Sequence, residues 1–262
     1  MSSSTITPDG VRLVYEVVGQ GPPLALVHGI TESRRTWDPL VEPLAATHTV
    51  VALDLRGHGE SSLAPSGEYD LGSMAGDVAH VLGGLGLGPA HLVGHSLGGI
   101  VVTAAAATME VRSVVNVDQP LALAGFQEGL APLAPLLRGS RAEFDQAIGM
   151  VFGAMAGPLP EPERVRVDAL RRAEPEVVLA IWAPVLDGSA AQLDRLVAAL
   201  GSQIDAPYLS LHGIDPGPGY AEWLAEMIDG AVTEVWPDHG HYPHLVDTAR
   251  FLARLTAWTE GP

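Results

Sequence analysis

Cysteine and lysine are both missing from the 262-residue chain. Without cysteine there is no disulfide, no thiol nucleophile and no thiolate-bound metal. Without lysine, all 14 basic residues are arginine, and with abundant Ala, Gly and Pro this points to GC-rich bacterial coding rather than to a function. Positive charge is scarce: 31 acidic residues leave a net charge of −17. Such a chain repels phosphate backbones and anionic bilayers, so neither nucleic acid nor membrane is expected as a partner. The most apolar stretch, residues 98–108, is too short for a bilayer, which needs about 20 residues. The start, MSSSTITPDG, lacks the basic and apolar regions of a secretory signal. The expectation is a soluble cytoplasmic protein, a monomer or homodimer. Hydrophobic residues make up 47% of the chain and charged residues 17%, which excludes a disordered or collagen-like chain.

Apolar runs without polar alternation lie at residues 24–28, 49–53, 90–94 and 111–117. They suit parallel strands buried on both faces. Residues 11–18 read as an edge strand running into a glycine turn. Helical signals fill the gaps, at 37–45, at 71–82 with Asp70 as N-cap, and at 96–109. Strands alternating with helices imply right-handed crossovers and a mostly parallel sheet. After Asp118 the alternation stops. Residues 119–204 are proline-rich and helical in signal, with Phe144, Ile148, Val151, Phe152 and Met155 on one helix face. Strand and helix signals resume at 207–211, 220–228, 232–236 and 244–258. The expected division is an α/β core of residues 1–118 and 205–262, interrupted by a helical segment, 119–204.

Gly94-His95-Ser96-Leu97-Gly98 follows a predicted strand and opens a predicted helix. That context exposes a serine Oγ on a tight turn, beside helix N–H groups that can stabilise an oxyanion. His28-Gly29-Ile30 ends an early strand, and the Ile30 N–H can complete an oxyanion hole with that of Leu97. Asp238-His239-Gly240-His241-Tyr242-Pro243-His244 follows the last strand, and His241 is the expected base for Ser96. The rival reading builds a metal site from His239, His241 and His244, but no carboxylate-rich motif accompanies it, so no metal is expected. Gly83, Gly84, Gly86 and Gly88 end a helix and precede a strand, the wrong context for a dinucleotide loop, so no cofactor is expected.

These motifs, with the run Asp54-Leu55-Arg56-Gly57-His58-Gly59-Glu60-Ser61, resemble the α/β-hydrolase fold superfamily across nearly the whole core. The resemblance implies a mostly parallel central sheet flanked by helices, with a helical cap inserted after the sixth strand. It also implies a nucleophile, acid, histidine order and a structural role for residues 54–61. The acid has two candidates. Many members carry it after the strand at 207–211, where Asp215 stands, but Asp215 is one residue short of the usual offset from Gly213. Some members, including the zearalenone lactonases, carry it where Asp118 stands, and Asp118 is preferred.

The inserted segment holds three of the four phenylalanines, Phe126, Phe144 and Phe152, together with Trp182. An apolar lid suits a hydrophobic acyl or lactone substrate. Trp182, Phe126, Phe152, His28, Gly29 and His95 are the expected substrate contacts, and Arg34 and Arg35 could bind a carboxylate. The leading expectation is a cofactor-free serine hydrolase for esters or lactones. The alternatives are C–C cleavage or a lyase reaction with the same triad, or a receptor without turnover.

Overall fold

A computed structural model describes residues 2–261. Its centre is an eight-stranded sheet in the order β1-β2-β4-β3-β5-β6-β7-β8. The strands are β1 (Ser2–Ile6), β2 (Arg12–Val18), β3 (Pro23–Val27), β4 (Thr49–Leu53), β5 (His91–His95), β6 (Ser113–Val117), β7 (Tyr208–His212) and β8 (Val232–Val235). β1 and β2 pair antiparallel, β2 joins β4 antiparallel, and the other neighbours are parallel. β3, β5, β6 and β7 are buried along their whole length, as their unbroken apolar runs require. The edge position expected for residues 11–18 belongs instead to β1. Its sequence, SSSTI, is mostly exposed and carries no apolar signal.

Helices α1 (Asp38–Ala45), α2 (Leu71–Leu85) and α3 (Leu97–Ala106) connect the first parallel strands. The Asp70 side chain caps α2 by accepting the Ser73 N–H at 3.0 Å. Between β6 and β7 the chain is helical: α4 (Ala124–Leu130), α5 (Ala134–Leu137), α6 (Arg141–Met155), α7 (Glu161–Leu170), α8 (Pro175–Asp187) and α9 (Ala190–Gly201). Then α10 (Tyr220–Met227), α11 (Pro243–Val246) and α12 (Thr248–Glu260) complete the chain. Two apolar cores flank the sheet. One joins its α2–α3 face to the inserted helices, and the other packs Trp37, Leu40, Leu44, Phe251 and Leu255 against the opposite face. Among the described residues no helix is long and apolar enough to cross a membrane.

Residues 54–61 form a buried turn held by ion pairs. Asp54 accepts from the Arg34 backbone at 2.7 Å and from its guanidinium, and Arg56 grips Asp77 of α2 with two bonds of 2.7 Å. Arg34 is therefore consumed in the fold, and the half-exposed Arg35 faces Glu16 and Asp38.

The strand-to-helix turn after β5 has no room for side chains at its glycines. A Cβ on Gly94 would lie 2.0 Å from the Gly98 carbonyl oxygen, and one on Gly98 would lie 2.2 Å from that of Val27. Both obstacles are backbone. Gly98→Ala is expected to destabilise the protein by more than about 2 kcal/mol in urea unfolding, and a stability equal to wild type would contradict this packing.

Candidate active site

The parallel strands end at one sheet edge, and the polar side chains of the site stand there. Ser96 follows β5 with φ 51° and ψ −123°, a strained conformation that lifts its side chain off the sheet. Asp118 follows β6 with φ 53°, and Thr31, just after β3, has φ 65°. Three non-glycine residues with left-handed backbones thus cluster where the chain leaves β3, β5 and β6.

Asp118 sits in a nest of donors. Its Oδ1 accepts the N–H groups of Gly213 at 2.7 Å and Ile214 at 3.0 Å, both just past β7. Its Oδ2 accepts Nδ1–H of His241 at 2.6 Å. Burial would raise the Asp118 pKa, but the His241 bond and the backbone donors outweigh it and hold the carboxyl below its usual range. The bond also fixes the tautomer: Nδ1 carries the proton and Nε2 is left as an acceptor. That Nε2 is buried and has no partner within the described residues. Burial lowers the His241 pKa, partly offset by Asp118, so the ring is neutral at neutral pH.

Ser96, His241 and Asp118 line one cavity of about 490 Å³. Ile30, Leu97, Phe126, Phe152 and Trp182 line it too. Leu97 opens α3, where the first N–H groups lack intrahelical acceptors, and the Ile30 N–H makes no hydrogen bond within the described residues. Trp182 and Phe126 meet edge to face at 5.8 Å between centroids. The remaining wall is mostly aliphatic, with Leu196 and Ile214 partly exposed at the mouth. No arginine lines the cavity among the described residues, and its charged lining groups are Asp70 and Asp118.

Four residues expected at the site lie elsewhere. Asp215 is exposed and turns back on its own loop, accepting the Gly217 N–H at 2.8 Å. Asp215 follows directly on Ile214, the second of Asp118's backbone donors, and its side chain turns to solvent rather than to His241. His28 is fully buried, donating to the Gly29 carbonyl at 2.7 Å and accepting the Leu55 N–H at 3.1 Å. Gly29 packs beneath Ser96, where an added Cβ would lie 3.2 Å from the serine Cβ. His95 points away from the cavity and donates through Nε2 to the His241 carbonyl at 2.7 Å. All three support the site from behind rather than touching its space. His239 bonds the Pro237 carbonyl at the surface, and His244 is buried between the rings of Trp37 and His95. Among the described residues no cluster of three or more His, Cys, Asp or Glu could hold a metal.

Sequence reasoning missed Glu32, Arg171 and the Tyr242 hydroxyl, which form a buried network below His241. Tyr242 donates to Glu32 at 2.8 Å, and Arg171 donates to Tyr242 at 3.0 Å and to Thr31 at 2.8 Å. Nothing in the local sequence marks a glutamate after a glycine turn as buried. The inserted segment is fastened here too. The Arg172 N–H bonds the Thr31 carbonyl at 2.7 Å, the His241 N–H bonds that of Met155 at 3.0 Å, and Arg171 stacks over Phe152.

Sheet, crossovers, serine elbow and histidine loop together define an α/β hydrolase fold. Residues 24–255 match the profile of the alpha/beta hydrolase family, and the chain belongs to that family. It is 25% identical to (E)-2-((N-methylformamido)methylene)succinate hydrolase of Acinetobacter baylyi, over 94% of this chain and 93% of that one. Esterase RhEst1 from Rhodococcus sp. ECU1013 superposes with a TM-score of 0.76 at 27% identity, over 99% of this chain and 98% of that one. A thermophilic esterase from Thermogutta terrifontis gives 0.73 at 27% identity, over 99% and 98%.

The geometry predicts that the His241 imidazole titrates below its usual 6.5. NMR of the histidine ring signals checks this, and a value at or above 6.5 would contradict the buried, neutral base.

Proposed function

We propose that the protein is a serine hydrolase acting on a carboxylic ester or lactone of an uncharged, apolar small molecule. One observation carries the reading: His241 is bonded to Asp118 through Nδ1 while its unpartnered Nε2 stands in the same cavity as Ser96. Ser96 Oγ attacks the carbonyl carbon as His241 Nε2 takes its proton. The N–H groups of Ile30 and Leu97 receive the oxyanion. His241 then protonates the departing alkoxide, leaving an acyl group on Ser96. A water deprotonated by His241 attacks that acyl-enzyme, and the acid leaves as Ser96 regains its proton. Asp118 holds the tautomer and stabilises the imidazolium throughout.

Residues 119–204 act as a cap, and Trp182, Phe126 and Phe152 grip the apolar part of the substrate. The succinate-type substrate in the name of the Acinetobacter relative does not suit this cavity, which among the described residues has no cation to receive a second carboxylate. The esterases among the structural neighbours support ester cleavage.

A fluorophosphonate probe is expected to label Ser96 in the wild-type protein, and to label neither Ser96→Ala nor His241→Ala. Absence of an adduct on folded wild-type protein would overturn the reading in favour of a receptor without turnover. On p-nitrophenyl esters, Asp118→Asn is expected to lower kcat by about 10³–10⁴-fold, while Asp215→Asn leaves it unchanged. The reverse order would move the acid to Asp215. Trp182→Ala is expected to reduce kcat/KM for a hexanoyl ester more than for an acetyl ester.

A further inference from the structure

Glu32 is a buried carboxylate that the proposed reaction does not use, and its contacts are unusual in their targets. Oε2 accepts the N–H of Gly29 at 3.3 Å, and Gly29 precedes Ile30. Oε1 accepts the hydroxyl of Tyr242 at 2.8 Å, and Tyr242 follows His241. Oε2 also lies 3.4 Å from Nδ1 of His95, which precedes Ser96. One side chain therefore touches the chain neighbours of the oxyanion donor, the base and the nucleophile. We infer that Glu32 is a positioning residue that holds Ile30, Ser96 and His241 in a single frame. The inference rests on the serine-hydrolase reading above.

The packing leaves little slack in that frame. A Cβ on Gly29 would meet Ser96 Cβ and His95 Nδ1 at 3.2 Å and Glu32 Cδ at 3.3 Å. The link to the base is doubled, because His95 also donates to the His241 carbonyl at 2.7 Å. Burial would push the Glu32 carboxyl up, but His95, Arg171 and Tyr242 outweigh it and hold the group well below its usual range. The side chain is thus a fixed anion with directional donors, not a neutral filler. Tyr242 stays protonated because burial and the neighbouring carboxylate raise its pKa.

The anion also acts on the base. The groups that face His241 are Asp118, His95, His244 and Glu32. Glu32 is itself faced by His95, Arg171, Tyr242, His28, His58 and His244. Glu32 and Asp118 favour the imidazolium, whereas His95 and burial disfavour it. Removing the Glu32 charge must therefore lower the pH at which His241 titrates.

Glu32→Gln keeps the shape, removes the charge and leaves an amide donor against either the Gly29 N–H or the Tyr242 hydroxyl. Glu32→Asp keeps the charge but falls one methylene short. Turnover of a p-nitrophenyl ester gives kcat and KM, and NMR gives the His241 titration with no need for turnover. A displacement of about 1 Å at a reacting group costs about 10²-fold in rate. Glu32→Gln is therefore expected to lose about 10–100-fold in kcat with KM nearly constant, and to shift the His241 titration to lower pH. Glu32→Asp is expected to lose kcat while keeping the wild-type titration. An unchanged kcat in Glu32→Gln, or a lost kcat with an unchanged His241 titration, would overturn the inference. If circular dichroism finds Glu32→Gln unfolded, Tyr242→Phe carries the test: an about tenfold loss of kcat supports the frame, and a wild-type rate overturns it. Wild-type protein without turnover or probe labelling would sink the hydrolase reading instead, and the NMR arm would still decide whether Glu32 is coupled to His241.

Discussion

The close approach of the serine turn to the end of β3 is the constraint on which the site depends. Gly98 presses on the Val27 carbonyl and Gly94 on the Gly98 carbonyl, so the turn fits only with bare backbone at both places. That fit forces Ser96 into a left-handed conformation costing about 1–3 kcal/mol, which the surrounding buried strands supply. It also brings the start of α3 against the residues that follow Val27, which is why Leu97 and Ile30 line the same space. Strain at one residue and the meeting of two backbone donors are consequences of a single contact.

Around this turn the protein buries charge, but each buried anion has its own donors. Asp54 has Arg34, Asp77 has Arg56, Asp118 has two backbone N–H groups and His241, and Glu32 has Gly29 and Tyr242. Removing one partner from such a pair costs far more than the pair contributes, because a bare charge is left in a dry interior. The first two pairs secure the run after β4. The other two lie either side of His241. The cavity above them is apolar, so the polar work of the site is confined to its floor.

The shared placement of Ser96 and His241 at one cavity was readable from sequence because each sits in a local pattern whose geometry follows from neighbouring glycines. The parallel strands were readable because burial on both faces demands unbroken apolar runs. β1 was not readable, since an exposed edge strand needs no apolar residue. Between Asp118 and Asp215, the one-residue offset from Gly213 was informative: it delivers backbone N–H groups to Asp118 and leaves Asp215 in solvent. His28 and His95 belong to motifs adjacent to the site, yet their rings turn the other way. Glu32 was invisible because two of its partners, His95 and Tyr242, are distant in the chain, and no local spacing encodes such a meeting.

The bond between the His241 N–H and the Met155 carbonyl has an evolutionary consequence. Helix α6 contributes Val151, Phe152 and Met155 to the cavity wall, and the same helix end holds the backbone of the histidine loop. A Cβ on Gly240 would lie 2.7 Å from the Gly157 Cα, so the two segments cannot drift apart or accept bulk between them without moving His241. Descendants of this sequence that acquire new substrates will therefore find the α6 wall costly to remodel. The opposite wall, Ala180, Ile181 and Val185 of α8 with Leu193 and Leu196 of α9, has no such bond to the histidine loop among the described residues, and is where the cavity can diverge.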